Sequence, residues 1–527
     1  MTRRKATIVV ISALLLVMTL MVAGCRPTAR PSNNDHNGAS LSADVPGTEG
    51  ATAWLGTAEG DPSGPAGEEQ PGPGLPLDIE MVLEPDQTSF GPFYGLLPEL
   101  AWSPDGRYLA AFGEKNGYGL WLWDQQTKSC RRLVQLVDRS GQRLTSLAFF
   151  GWNVAGDALL YAVDGIQSED RFLGQNGVLV RQVGLDGTDK VLAWLPGEGM
   201  FIRSRLFNRE SGLLLVHRGR DLWAVDTAGG RYKQVKSDLP TWDGLFFVVP
   251  SPTGDRVVYP NPDTTQRQLI ILDLKNGTET AVGLAGEYPF YPVWSPDGEK
   301  LAFLSAEALS AGYDFQLGED GPLPPSTRII VTTNQGELLT QITPRPREKT
   351  GAPVWSADSS QLAFLTASVV QGPEEFPEIS WHRLWSSDLN NRLQDLGPVS
   401  GDWLTIGDYT PDGSSVLLFA YEAGGGVSAV LQSQTQKLTL AHDAVDEPPI
   451  WWQRSLVLPR IVVNNGDYLD TQLYLYDPNK QVTELTSGSG WKSGAKISAG
   501  GDLAYISADN QNYPYPLTVV IQPLFQQ

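Results

Sequence analysis

The chain has 527 residues, 41% hydrophobic and 19% charged, with 60 Asp and Glu against 39 Lys and Arg and a formal net charge of −21. A surface this acidic repels nucleic acid and anionic lipid head groups, which excludes recognition of either through a basic patch. Two cysteines exclude a disulfide-stapled framework, and no glycine-rich phosphate loop, His-Glu-x-x-His, Cys cluster or Gly-x-Ser-x-Gly occurs, so the familiar motif-bearing enzyme classes are not signalled.

The chain opens with Thr2-Arg3-Arg4-Lys5, an apolar run from Ala6 to Ala23, and Val22-Ala23-Gly24-Cys25. A basic start, an apolar stretch and small residues before a break are the layout of a signal peptide, expected here over residues 1–24. A Cys directly after Val-Ala-Gly looks like the lipobox of bacterial lipoproteins. That likeness implies lipidation at Cys25; an uncleaved transmembrane anchor is the competing reading. Both put the bulk of the chain outside the cytoplasm, on the outer face of the cytoplasmic membrane or at an outer membrane.

Residues 25–76 are rich in Pro, Gly, Ser, Ala, Asp and Glu without sustained apolar periodicity, and so read as a disordered tether. About 50 such residues have a root-mean-square span of roughly 40 Å, enough to hold a domain clear of the membrane. Cys130 then has no intramolecular partner and reads as a buried, unreactive thiol.

Residues 77–527 carry a repeat. Ala101-Trp102-Ser103-Pro104-Asp105-Gly106 leads into Arg107-Tyr108-Leu109-Ala110-Ala111, and near-copies stand at Val293 to Phe303 and Val354 to Phe364. Ser, Pro and Gly occupy the positions that a type I turn favours, so each copy predicts strand, tight turn, strand. Drifted copies lie at Gly151-Trp152, Ser251-Pro252, Thr410-Pro411 and Ser498-Ala499; weaker ones lie at Phe207 to Gly212 and Trp451 to Arg454. A third strand often closes on Asp, as in Asp221 to Asp226 and Leu269 to Asp273, and a fourth follows, as in Glu279 to Val282. Copies spaced about 43 to 61 residues apart match a four-stranded propeller blade.

The predicted fold is therefore all-β, a single β-propeller of eight blades within a range of seven to nine, one weak copy being taken as an insertion. The last unit has three strands. Its missing outer strand is expected from Leu77 to Leu83, which would close the ring by pairing the two chain ends.

The Trp-Ser-Pro-Asp-Gly turn followed by a Leu-Ala-Phe strand resembles the TolB-type propeller repeat, over about Leu100 to Ile521. The resemblance implies a WD40-like propeller and a binding role. It departs at the N-terminus, where TolB carries a small α/β domain and this chain the expected anchor and tether, so no partner surface is carried over.

In an up-and-down blade the Ser-Pro-Asp-Gly turns share one face, and the second-to-third loops share the other with the links between blades. Long insertions at Asp164 to Gly177, Ala306 to Thr327 and Ala367 to Trp381 are expected on that second face, where binding usually resides. Aromatic residues in Pro-rich segments assigned to it, Tyr94, Tyr288, Phe290, Tyr291, Trp451, Tyr513 and Tyr515, form the candidate binding face; inter-blade packing is the plainer account of the same residues. Glu374, Glu375, Glu378 and His382 lack a ligand spacing, so no metal and no cofactor is expected. No catalytic residue is assigned. The function expected is a non-catalytic, membrane-anchored cell-envelope lipoprotein that binds a protein, peptide or envelope polymer. The alternative is a carbohydrate-active enzyme, a glycosidase or lyase, using two carboxylates at the channel mouth, since paired acids need no sequence motif.

Overall fold

A computed structural model describes residues 81–82, 89–114, 118–136, 147–164, 177–196, 202–208, 211–218, 220–263 except 240–247, 265–307, 327–343, 348–371, 377–390, 392–422, 426–464, 469–477, 481–508 and 517–524. The expected signal peptide, Cys25 and the tether lie outside them. Contacts divide the chain into residues 1–74 and 75–527, and all the described residues belong to the second unit.

That unit is a nine-bladed β-propeller of antiparallel strands, with no helix among the described residues. The fold class is the expected one, and the blade number, nine, lies at the upper end of the expected range of seven to nine. Both weak copies are complete blades. In the third blade Asn208 replaces the turn serine, its Oδ1 accepting the Ser211 amide at 2.8 Å, and Gly212 takes φ 68°. In the eighth, Gln453 at φ 56° turns Ile450–Trp452 into Ser455–Asn464. The strands flanking these turns keep the apolar pattern, Leu213 to Val216 being buried, and burial rather than turn chemistry makes the blade.

The ring closes by pairing N- and C-terminal strands, as expected, but the N-terminal segment is not Leu77 to Leu83. The outer strand of blade nine comes from the first part of Ser89–Trp102: Ser89 stands opposite Val520, Phe90 opposite Val519 and Phe93 opposite Leu517. The same strand then pairs with Tyr108–Glu114 as the inner strand of blade one. One continuous strand thus bridges two blades, bulging at Gly91-Pro92, where proline has no N–H for the ladder. Met81–Val82 instead pairs with Ser129 and Cys130 on the outer strand of blade one.

One hydrophobic cluster fills each seam between neighbouring blades, including the seam of blades nine and one. The repeat tryptophans also stitch the seams. Their indole N–H groups donate to a backbone carbonyl of the preceding blade: Trp152 to Ala101 at 2.9 Å, Trp294 to Val249 at 2.9 Å, Trp355 to Val293 at 3.1 Å, and Trp102 to Lys496 across the closing seam at 3.2 Å. In each case the acceptor precedes the residue equivalent to the tryptophan, so the sequence repeat is also a bonding repeat.

The turn works the same way wherever it is intact. Ser295 Oγ donates to Asp297 Oδ1 at 2.5 Å and accepts the Lys300 amide at 2.9 Å; Ser103 and Ser356 do the same with Asp105 and Asp358. The hydroxyl bond holds the Asp105 and Asp358 carboxyls below their usual range. Gly106 and Gly298 follow at φ 72° and 71°, the left-handed conformation that Gly adopts without strain. Because Ser295 is fully buried, Ser295→Ala is expected to cost about 1–2 kcal/mol in denaturant unfolding. An unchanged midpoint would show the turn to be held by its backbone alone.

Within the expected insertion Ala367 to Trp381, the strands Leu362–Gln371 and Pro377–Ser387 pair out to Gln371 opposite Pro377, and 372–376 lie outside the described residues. The interiors of the other two insertions, 165–176 and 308–326, lie outside the described residues.

Candidate functional site

Strand order sets the two faces. Inner strands run from the links between blades to the Ser-Pro-Asp-Gly turns, so the start of an inner strand lies at the face carrying the second-to-third loops. Tyr288, Phe290 and Tyr291 lie on Glu287–Trp294, the inner strand of blade five. The Arg267 guanidinium lies 5.3 Å from the Tyr288 ring, and Phe290 packs into the seam of blades five and six. Tyr291 is 42% exposed and has φ 50° within a bulge. It meets Phe290 edge-on at 5.5 Å. Trp451 lies on the inner strand of blade eight, half-buried against the cluster of blades seven and eight. The structure therefore brings the three blade-five aromatics together and leaves Trp451 three blades away. The backbone of Tyr94 stands opposite Glu114, its side chain lying outside the described residues, as do Tyr513 and Tyr515.

A cavity lies between the inner strand of blade seven and the link to blade eight. It measures about 290 Å³ and is lined by Thr405, Ile406, Gly407 and Phe419 of blade seven and by Asp446, Glu447, Pro448 and Pro449 of the following link. The link has an identifiable origin. Ala444 bridges Arg460 and Ile450 pairs with Val457, so the segment between them carries three surplus residues and bulges out of the inner edge of blade eight. Two consecutive prolines cannot donate to a ladder, which favours such a bulge. Opposite it, the inner strand of blade seven shifts register between Ile406 and Asp408. Gly407 is required there: a Cβ would stand 2.9 Å from the Phe419 ring.

An aromatic rim completes the groove. Trp403 begins the inner strand of blade seven and is 56% exposed. Trp403 and Thr405 are two residues apart and share a strand face, and their cross-strand partners are Tyr421 and Phe419. Tyr421 Oη donates to Asp446, tying the rim to the bulge, and burial together with this carboxylate pushes the tyrosine far up. Glu447 Oε2 accepts the Gly494 amide of blade nine at 3.3 Å. Burial raises the Glu447 carboxyl, against the Gly494 amide and the charge of Lys496. Burial also raises Asp408, against the Tyr409 amide and the Trp451 indole. Three half-buried acids thus line or flank one groove, two of them pushed toward their neutral forms.

Trp403 and Tyr421 were not singled out by sequence. A Trp inside a strand pattern looks like core, and only the strand register turns this one outward. The Asp446 to Trp452 segment was visible as an acidic, Pro-rich break. Glu374 and Glu375 lie outside the described residues; His382 pairs with Glu348 at 3.3 Å. Among the described residues, no three His, Cys, Asp or Glu are grouped to hold a metal ion.

No family model matches the chain, and no curated protein matches it. Among solved structures it is similar to an oligogalacturonate lyase in complex with manganese, at 15% identity over 66% of this chain and 91% of that one, TM-score 0.34. It is also similar to the β-propeller domain of the Trilobed protease from Pyrococcus furiosus, at 11% identity over 73% and 99%, TM-score 0.35. A third similar structure is Porphyromonas gingivalis dipeptidyl peptidase 4, at 9% identity over 80% and 57%, TM-score 0.42.

Proposed function

We propose that this protein is a non-catalytic, membrane-anchored extracytoplasmic binding propeller of TolB-like repeat type, which holds a protein or peptide partner on the face bearing the second-to-third loops. The observation that carries this reading is the cavity of blades seven and eight, next to which Trp403, two residues before the lining residue Thr405 on the same strand face, is 56% exposed. Large exposed aromatics next to a pocket are the usual anchors of protein interfaces. The lipid at Cys25 and the tether of residues 25–76 would provide attachment and reach.

Crosslinked capture from membranes with the intact protein and with Trp403→Ala tests it. Anchor residues typically contribute 2 kcal/mol or more, so capture of the specific partner is expected to fall by about thirty-fold at limiting concentration. Equal capture by a correctly folded variant would overturn the placement.

The carbohydrate-active alternative has one observation in its favour. Glu447, with its carboxyl raised by burial, lies next to Asp446 in the same cavity, and carboxylates held in different environments can divide acid and base roles. Turnover of an envelope polysaccharide by the intact protein, abolished by Glu447→Gln, would replace the binding reading with this one.

A further inference from the structure

Resting on the binding reading above, we propose that the partner inserts a cationic side chain, the arginine or lysine of a peptide segment, into the groove, against Trp403 and toward Asp446 and Glu447.

The polar chemistry of the lining is one-sided. Asp446 and the ionised form of Glu447 are acceptors, Pro448 and Pro449 have no N–H, and Ile406 and Phe419 offer no polar side-chain atom; the Thr405 hydroxyl is a side-chain donor of the wall. A guanidinium or ammonium brings donors alone and leaves no acceptor unsatisfied in such a pocket. A sugar brings hydroxyls that need both.

Charge points the same way. Among the described residues no Lys, Arg or His forms an ion pair with Asp446 or Glu447; the bonds they accept come from the neutral Tyr421 hydroxyl and the Gly494 amide. Some acids elsewhere are matched at close range, as Asp124 by Arg107, Asp226 by Arg231 and Glu287 by Arg328. Lys496 acts on Glu447 through its charge without forming an ion pair, and the chain as a whole carries a net charge of −21.

The aromatic component fits as well. Trp is the best cation–π acceptor, and Trp403 stands directly across the strand pair from Tyr421, whose hydroxyl reaches Asp446. The chain uses the same pairing inside its blades, with Arg383 5.9 Å from the Trp385 ring and Arg460 4.7 Å from the Tyr474 ring. A cation beside Trp403 would meet the indole on one side and a carboxylate on the other, a combination favourable to Arg in particular.

The test uses the full chain in detergent at 0.15 M salt and a fluorescent peptide, Gly-Arg-Gly-Arg-Gly-Arg, against its citrulline counterpart, which keeps the shape and lacks the charge. Anisotropy is expected to show the arginine peptide binding at least tenfold more tightly. Trp403→Ala, which leaves the net charge unchanged, is expected to bring that ratio below threefold, as is Asp446→Asn combined with Glu447→Gln. Thermal melts verify that each variant folds, and Asp446→Asn retains an acceptor for Tyr421. Equal binding of the two peptides would overturn the proposal. So would an arginine preference that survives Trp403→Ala, which would reflect only attraction to an acidic surface. If membrane capture still depends on Trp403 while the peptides are not distinguished, the binding reading stands and the cationic partner falls. If neither depends on Trp403, both fall.

Discussion

Replacing Trp123 by Ala is expected to destabilise the propeller by about 3–5 kcal/mol, the range for removing a large aromatic from a packed core. Trp123 lies on the third strand of blade one, Tyr118–Asp124, and is fully buried. It belongs to the cluster in which blade one meets Ile506, Val519 and Ile521 of blade nine. That seam joins the N- and C-terminal strands of the ring, and among the described residues it is held by seam packing, the Trp102 bond to Lys496 and the short Ser89–Phe93 pairing. Each blade touches its neighbours alone, as in other repeat folds, so a cavity here should open the ring locally before it melts globally. Denaturant unfolding measures the total loss. Hydrogen exchange at Val519 and Val520 should accelerate more than at Ala302 and Phe303 of blade five, on the far side of the ring. A loss below about 1 kcal/mol, or uniform exchange, would mean that this seam does not close the ring.

Replacing Lys349 by Met is expected to have the opposite sign. Lys349 is 4% exposed on Glu348–Thr350, and its Nζ has no hydrogen-bond partner among the described residues. Burial lowers the ammonium from 10.5 to about 8. The unfolded chain therefore keeps this proton between pH 8 and 10.5 while the folded chain releases it. With more protons bound in the unfolded state, stability rises with pH across that window. Below pH 8 the folded protein bears the whole cost of a buried charge, about 3 kcal/mol. Lys349→Met keeps the apolar stem and removes the charge, and is expected to stabilise the protein by about 2–3 kcal/mol at pH 7. The gain should shrink steadily from pH 8 to 10.5. Chemical unfolding at pH 7 and pH 10.5 checks both parts, and a destabilised variant at pH 7 would mean that the amine has a partner in the working protein. An unpaired buried lysine is a departure from the local consistency seen elsewhere in the ring.

The architecture was legible because the repeat encodes it physically. Ser, Asp and Gly at fixed places in the turn make the same hydrogen bonds wherever they recur, and each repeat Trp both fills and bonds a seam. Strand ends were legible too: Asp221–Asp226, Leu269–Asp273 and Glu279–Val282 form as expected, since polar turns bound short apolar runs. The blade count of nine lies at the upper end of the expected seven-to-nine range, because burial imposed the strands even where turn residues had drifted.

The sequence by itself determined the all-β class, the blade as the repeating unit, the turn chemistry and the acidic surface, because these depend on residues close together in the chain. Only the tertiary structure decided which strand closes the ring, which aromatics pack and which face outward, and that Asp446 and Glu447 share a cavity beside Tyr421, the cross-strand partner of Trp403. The groove arises between blades: the surplus residues before Ile450 can bulge only toward the neighbour that leaves room, and blade seven leaves it at Gly407. Pairings across about forty residues of chain have no local signature, since they are fixed by closing the ring rather than by the propensity of any one segment.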